Sequence, residues 1–124
     1  MIEIQGAKQY NLEDRTFMFA MNVREFVKKL PKTISNIEDG KQVIRSSGSI
    51  GANYIEANES LSKKDFIMRV KICRKEAKET RYWLGLVSVE SEDERKKLTM
   101  EETELMKIFG SILEPYRIYL ALCK

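Results

Sequence analysis

From Phe66 onward, Val70, Cys73, Ala77, Thr80, Leu84 and Val87 follow one another at alternating spacings of four and three. That spacing keeps one side of an α-helix apolar, whereas a strand alternates its faces with period two and cannot use it. Held without a break across the segment, it is the seam of a helix bundle. Ser62 followed by Asp65 supplies a variant of the capping box at its start, with Asp where Glu or Gln is usual.

The rest of the chain repeats the pattern. Between about residues 12 and 30, Phe19, Val23, Phe26 and Leu30 mark one buried face, with Asn11 as cap and Glu13 and Asp14 in the first turn, where the helix dipole favours negative charge. Pro31 ends it, because a residue before proline avoids the α region. A second helix spans about 34 to 58 and carries two apolar stripes: Ile37, Ile44 and Ile55, and beside them Val43, Ile50 and Tyr54. Between the stripes lie Ser46, Ser47, Gly48, Ser49, Gly51 and Ala52. Glycine costs about 1 kcal/mol in a helix interior, so this run signals either a close helix neighbour or a local break. The third helix is expected over about 63 to 90. Ser91 to Lys97 has no apolar residue and reads as a loop. Thr99 and Glu102 read as a last capping box, followed by Leu105, Phe109, Ile112, Tyr116, Tyr119 and Cys123 in a helix over about 100 to 123. Pro115 inside it predicts a kink.

Four such helices joined by short loops make residues 1–124 a single all-α domain, an antiparallel up-down four-helix bundle. Leu113 and Leu120 flank the stripe of the last helix, as the second stripe flanks that of helix two. This is more apolar surface than one small bundle core needs, which predicts a homo-oligomer.

The chain has no histidine. That excludes Ser-His-Asp and Cys-His catalysis, Glu-x-x-His di-iron bundles and histidine-containing zinc sites. The two cysteines, Cys73 and Cys123, cannot fill a four-ligand site and fall on apolar stripes, as small buried hydrophobes do. No Gly-rich phosphate loop and no metal-spaced carboxylate pattern appears, so the expectation is no catalytic residue, no metal and no cofactor. Residues 1–10 contain Glu3 and Lys8 and do not read as a signal peptide. The longest charge-free run, Ser46 to Ile55, is ten residues and rich in Ser and Gly. A membrane span takes about 20 apolar residues, so a cytoplasmic protein is expected.

Three features offer themselves for function. Lys63 to Arg81 holds eight basic and three acidic residues, a net of +5 in a chain of net +3, which leaves −2 for the remainder. At 100° per residue Lys64, Lys71, Lys75 and Lys78 cluster opposite the apolar seam, flanked by Lys63, Arg74 and Arg81. Such a ridge suits a phosphate backbone; it equally suits a solvated helix face with local ion pairs to Glu76 and Glu79. The second feature is a set of polar groups on the tightly packed helix: a hairpin turning at Glu59 to Ser62 sets Arg45 near Glu76 and Glu56 within a turn of Arg69, with Asn53 among small residues. Buried charges require partners, so these five predict a network that fixes helix register. The third is Tyr82, Trp83, Tyr116 and Tyr119, which can stack bases but at helical spacing also serve as core or interface.

The stretch from Arg45 through Ser-Ser-Gly-Ser-Ile-Gly-Ala-Asn-Tyr-Ile-Glu-Ala to Asn58, with Ser62-Lys-Lys-Asp-Phe-Ile67 and Lys75-Glu-Ala-Lys-Glu-Thr-Arg-Tyr-Trp-Leu84, resembles the four-helix-bundle proteins encoded within intervening sequences of bacterial 23S ribosomal RNA genes. The resemblance covers about Gln42 to Leu86. Gly51 stands where many relatives have proline, and Asn58 where they have glycine. The resemblance implies a left-handed up-down bundle, a ring-like homopentamer and no enzyme. A related group, the accessory proteins of diversity-generating retroelements, forms basic pentamers that bind nucleic acid and a reverse transcriptase, and is more basic than this chain. Two functions stand open: an oligomer that binds RNA or a ribonucleoprotein through the ridge, and a protein–protein scaffold with no nucleic-acid role.

Overall fold

The computed structural model describes residues 11–122. Every regular element among them is helical: α1 (Leu12–Lys28), α2 (Ile34–Asn58), α3 (Lys63–Leu86), α4 (Glu92–Leu113), a 3-10 turn (Glu114–Tyr116) and α5 (Arg117–Leu122). The caps act locally. Asn11, Thr33 and Ser62 each accept the backbone N–H three residues on, satisfying a donor that the first turn leaves free.

Each helix turns one face inward. Phe19, Val23 and Phe26 of α1, Val43 and Ile50 of α2, Val70, Cys73 and Leu84 of α3, and Leu105 and Phe109 of α4 make one core. The small-residue run of α2 is continuous helix, packed close on α3 at Ser46, whose hydroxyl accepts from Thr80 at 2.8 Å, and on α1 at Gly51. A Cβ added at Gly51 would stand 2.8 Å from Thr16 Oγ1, and one at Gly40 would stand 3.1 Å from Val27 Cγ1. At the other end Asn36, itself buried, donates to the Pro31 and Ser88 carbonyls and accepts the Ser88 N–H, tying the entry of α2 to the exit of α3.

The structure corrects several expectations. Ser91 to Lys97 is not a loop: Ser91 caps α4, and Glu92, Asp93 and Glu94 occupy its first turn. Apolar periodicity cannot see a solvent-facing turn held by a cap and acidic residues at the helix N-terminus. Thr99 and Glu102 are therefore no capping box but lie within α4, and Glu102 is fully buried. α3 stops at Leu86, four residues early, because Val87 turns extended and Arg95 Nη1 takes the Leu84 and Val87 carbonyls. α1 ends at Lys28, where the Leu30 N–H reaches back to the Val27 carbonyl before Pro31. Pro115 does more than kink the last helix: it starts the 3-10 turn that separates α4 from α5. Leu113, which flanks the stripe of the last helix in the sequence, belongs to the core. In α2 the two stripes are used unequally: Val43 and Ile50 are buried and Tyr54 half-buried, whereas Ile37 and Ile55 are exposed. Cys73 is a buried free thiol; Cys123 lies outside the described residues.

Candidate nucleic-acid interface

α3 presents its basic residues as a consequence of its seam. With Val70, Cys73, Ala77, Thr80 and Leu84 turned inward, Lys64, Lys71, Lys75 and Lys78 are left exposed on the far side. Lys71, Arg74, Lys75 and Lys78, with Met68 and Ile72 between them, line an open depression of about 450 Å³. Two apolar side chains thus lie among four cations, a composition that can meet a phosphate and a sugar or base edge together.

The seven predicted cations divide by their surroundings. Among the described residues, Lys64, Lys71, Arg74 and Lys78 enter no ion pair. Arg74 lies toward α4, its Nη1 3.9 Å from where a Cβ on Gly110 would be. Lys63 Nζ sits 5.6 Å from the centroid of the Tyr119 ring, so one predicted aromatic serves as a cation–π partner. Lys75 Nζ is 3.5 Å from Glu76 Oε2, and Arg81 Nε is 3.9 Å from Glu102 Oε1. The ridge is thus bordered by a buried carboxylate on each side, Glu76 toward α2 and Glu102 toward α4.

The polar network forms with one changed partner. Arg45 reaches Glu76 at 3.5 Å, as its spacing predicts, and holds Glu79 more tightly at 2.7 Å. Glu79 also accepts from Trp83 Nε1 at 3.3 Å, and these bonds hold its carboxyl below the usual range. Arg69 does not meet Glu56. Its Nη1 donates to Asn53 Oδ1 at 2.9 Å, while the Asn53 amide donates to Ser49, and Glu56 stays exposed. Asn53 is half-buried one turn before Glu56 and already fixed by Ser49, so it offers Arg69 a held acceptor. Tyr82 is exposed and packs edge-on to Trp83 at 5.1 Å. Tyr116 packs against Phe66.

Sequence reasoning placed Glu102 at a cap and missed its burial. Burial pushes its carboxyl above the ordinary range, and Oε2 has no hydrogen-bond partner. The signal was available: Leu98, Glu102, Leu105 and Phe109 are spaced four, three and four, so Glu102 occupies a core position of α4.

A second surface runs between α1 and α2. Two apolar depressions of about 490 and 410 Å³ share Met21 and Arg24 and form a groove that includes Phe17, Ile37, Ile44 and Ile55. Among the described residues no group of three or more His, Cys, Asp or Glu side chains is placed to hold a metal ion. No described helix is long and apolar enough to cross a membrane.

Residues 8–111 match the model of the family described as 23S rRNA-intervening sequence protein. A crystal structure of a protein of unknown function from the S23 ribosomal protein family of Bacteroides thetaiotaomicron is similar, at 31% identity and a TM-score of 0.71, over 82% of this chain and 97% of that one. No curated protein matches.

Proposed function

Because the chain belongs to the 23S rRNA-intervening sequence protein family, we propose that it is a non-enzymatic, cytoplasmic up-down bundle that assembles with itself and binds RNA or a ribonucleoprotein through the ridge of α3. The observation that carries the binding reading is the depression of Lys71, Arg74, Lys75 and Lys78, three of whose cations have no internal partner among the described residues. A phosphate backbone laid there exchanges condensed counterions for these side chains, so binding weakens steeply with salt. The up-down topology rests on paired contacts that descend one helix as they climb the next: Arg45 with Glu76, Ile50 with Cys73 and Asn53 with Arg69. Self-assembly, as a pentamer by family resemblance, rests on the groove of α1 and α2, where Phe17 is 64% exposed and Ile55 50%.

The test is anisotropy with a labelled single-stranded RNA over a salt series, beside light scattering on a sizing column with the 260/280 ratio recorded. Reversal of Lys71, Lys75 and Lys78 to Glu is expected to abolish binding while leaving the oligomer intact. For single strands each lost phosphate contact flattens the log–log salt slope by about 0.7. Binding that survives the triple reversal refutes the ridge. The groove also supports the second reading, a protein–protein scaffold: a clean oligomer with no salt-sensitive RNA affinity favours it. A monomer refutes self-assembly.

A further inference from the structure

Glu102 is the buried ionisable group that the ridge leaves unexplained. It is 0% exposed, its Oε2 has no partner, and its Oε1 accepts only a 3.3 Å bond from the Thr103 hydroxyl next to it. Of the charged side chains, Arg81 is the one whose charge acts on it, and the other cations on the packed helices are paired or lie away from it. On α1, Arg15 pairs with Glu101 at 2.7 Å and Lys29 with Glu94 at 2.8 Å. On α2, Arg45 is held by Glu76 and Glu79. Arg74 of α3 lies two turns away over Gly110. The cation brought to Glu102 is Arg81, 3.9 Å away, whose side chain is 56% exposed at the end of the ridge.

We propose that Glu102 is an internal counter-ion that competes with RNA phosphate for Arg81, so that binding at this end of the ridge draws one proton from solvent onto the Glu102 carboxylate. This rests on the RNA-binding reading above. Arg81 is exposed enough to swing outward, whereas Glu102 cannot follow it into water. Once the guanidinium engages phosphate, an ionised Glu102 would be a buried charge with no counter-charge, a state that costs several kcal/mol in a protein interior. Taking up a proton removes that cost. Burial already pushes the Glu102 carboxyl up while Arg81 is close, and losing Arg81 pushes it further in the same direction.

The sign follows. Bound protein holds the Glu102 proton more tightly than free protein, so between the two pKa values affinity rises as pH falls, by up to tenfold per unit for one proton. Below both values the proton is already present and affinity is flat. The sequence makes the effect unusually clean to read. The chain has no histidine, so no side chain with an ordinary pKa titrates between about pH 5 and 8.

The experiment measures the affinity of the full chain for a labelled uridine oligonucleotide at fixed low salt across that window, with E102Q and R81Q beside the unaltered protein and circular dichroism as a check of folding. The unaltered protein is expected to bind more tightly as pH falls. E102Q is expected to bind with a flat profile and more tightly than the unaltered protein at the upper end. R81Q is expected to bind more weakly and also with a flat profile. A wild-type slope retained in either variant, or a flat wild-type profile, overturns the proposal and leaves the ridge standing. No binding by the unaltered protein at any pH overturns the RNA-binding reading itself. R81Q leaves Glu102 free to take up its proton in the folded protein, so with circular dichroism confirming its fold it decides the matter even if E102Q does not fold.

Discussion

Replacing Gly51 by alanine sets two opposed effects against each other within one helix. In a helix interior, alanine in place of glycine stabilises by about 1 kcal/mol, chiefly by restricting the unfolded chain. At Gly51 the new methyl would lie 2.8 Å from Thr16 Oγ1 and 3.2 Å from Thr16 Cβ. Thr16 has little room to yield, for it is 1% exposed and its hydroxyl is held between the Leu12 and Glu13 carbonyls at 2.9 and 3.0 Å. Overpacking of this kind costs about 1–3 kcal/mol, and here it also forces α1 away from α2. The net expectation for G51A is a loss of about 0–2 kcal/mol. The reference is Gly110 in α4, where an added Cβ meets only Arg74 Nη1 at 3.9 Å; there the propensity gain of up to about 1 kcal/mol has nothing to oppose it. Urea unfolding followed by circular dichroism at one protein concentration gives both values. G51A is expected to lie about 2 kcal/mol below G110A in stability, and truncating Thr16 to alanine in the G51A background is expected to narrow that gap. If G51A proves as stable as G110A, the close approach of α1 is not what requires glycine at this position.

Two further outcomes follow from single contacts. Asn36→Ala removes the partner of the Ser88 N–H and carbonyl, while the Pro31 carbonyl keeps the Thr33 N–H; at about 1–3 kcal/mol for a polar group left unsatisfied, the loss in urea unfolding is expected to be about 1–2 kcal/mol because Ser88 is open to water. Cys73 donates to the Ile50 carbonyl at 3.4 Å, and burial pushes its thiol up to about 12. It is therefore expected to resist iodoacetamide at neutral pH until the protein unfolds, which peptide mass spectrometry at Cys73 reads directly; rapid labelling of folded protein would contradict its burial.

How far the sequence reached can be judged residue by residue. The extent of α2, the inward seam of α3, the caps at Asn11 and Ser62 and the exposure of Lys64, Lys71, Lys75 and Lys78 were all legible, because each depends on spacing within a few turns of one helix. The pairing of Arg45 with Glu76 was legible too, since a short turn between two helices sets their register. The start of α4 was not, because Ser91 and three acidic residues hold a turn that contains no apolar side chain.

What only the tertiary structure decided were the choices between partners that local spacing leaves equivalent. Arg69 had Glu56 and Asn53 one turn apart and took the one that Ser49 already held. Two stripes of α2 were equally apolar, and packing between α1 and α3 buried Val43 and Ile50 and left Ile37 and Ile55 facing out. Glu102 looked like part of a cap until α4 proved to begin eight residues earlier, which placed its carboxylate inside the bundle with Arg81 of another helix as its counter-charge. Periodicity is set by the geometry of one helix and so is written in consecutive residues. Burial and charge pairing are set by how four helices rotate against one another, and that depends on side chains far apart in the chain.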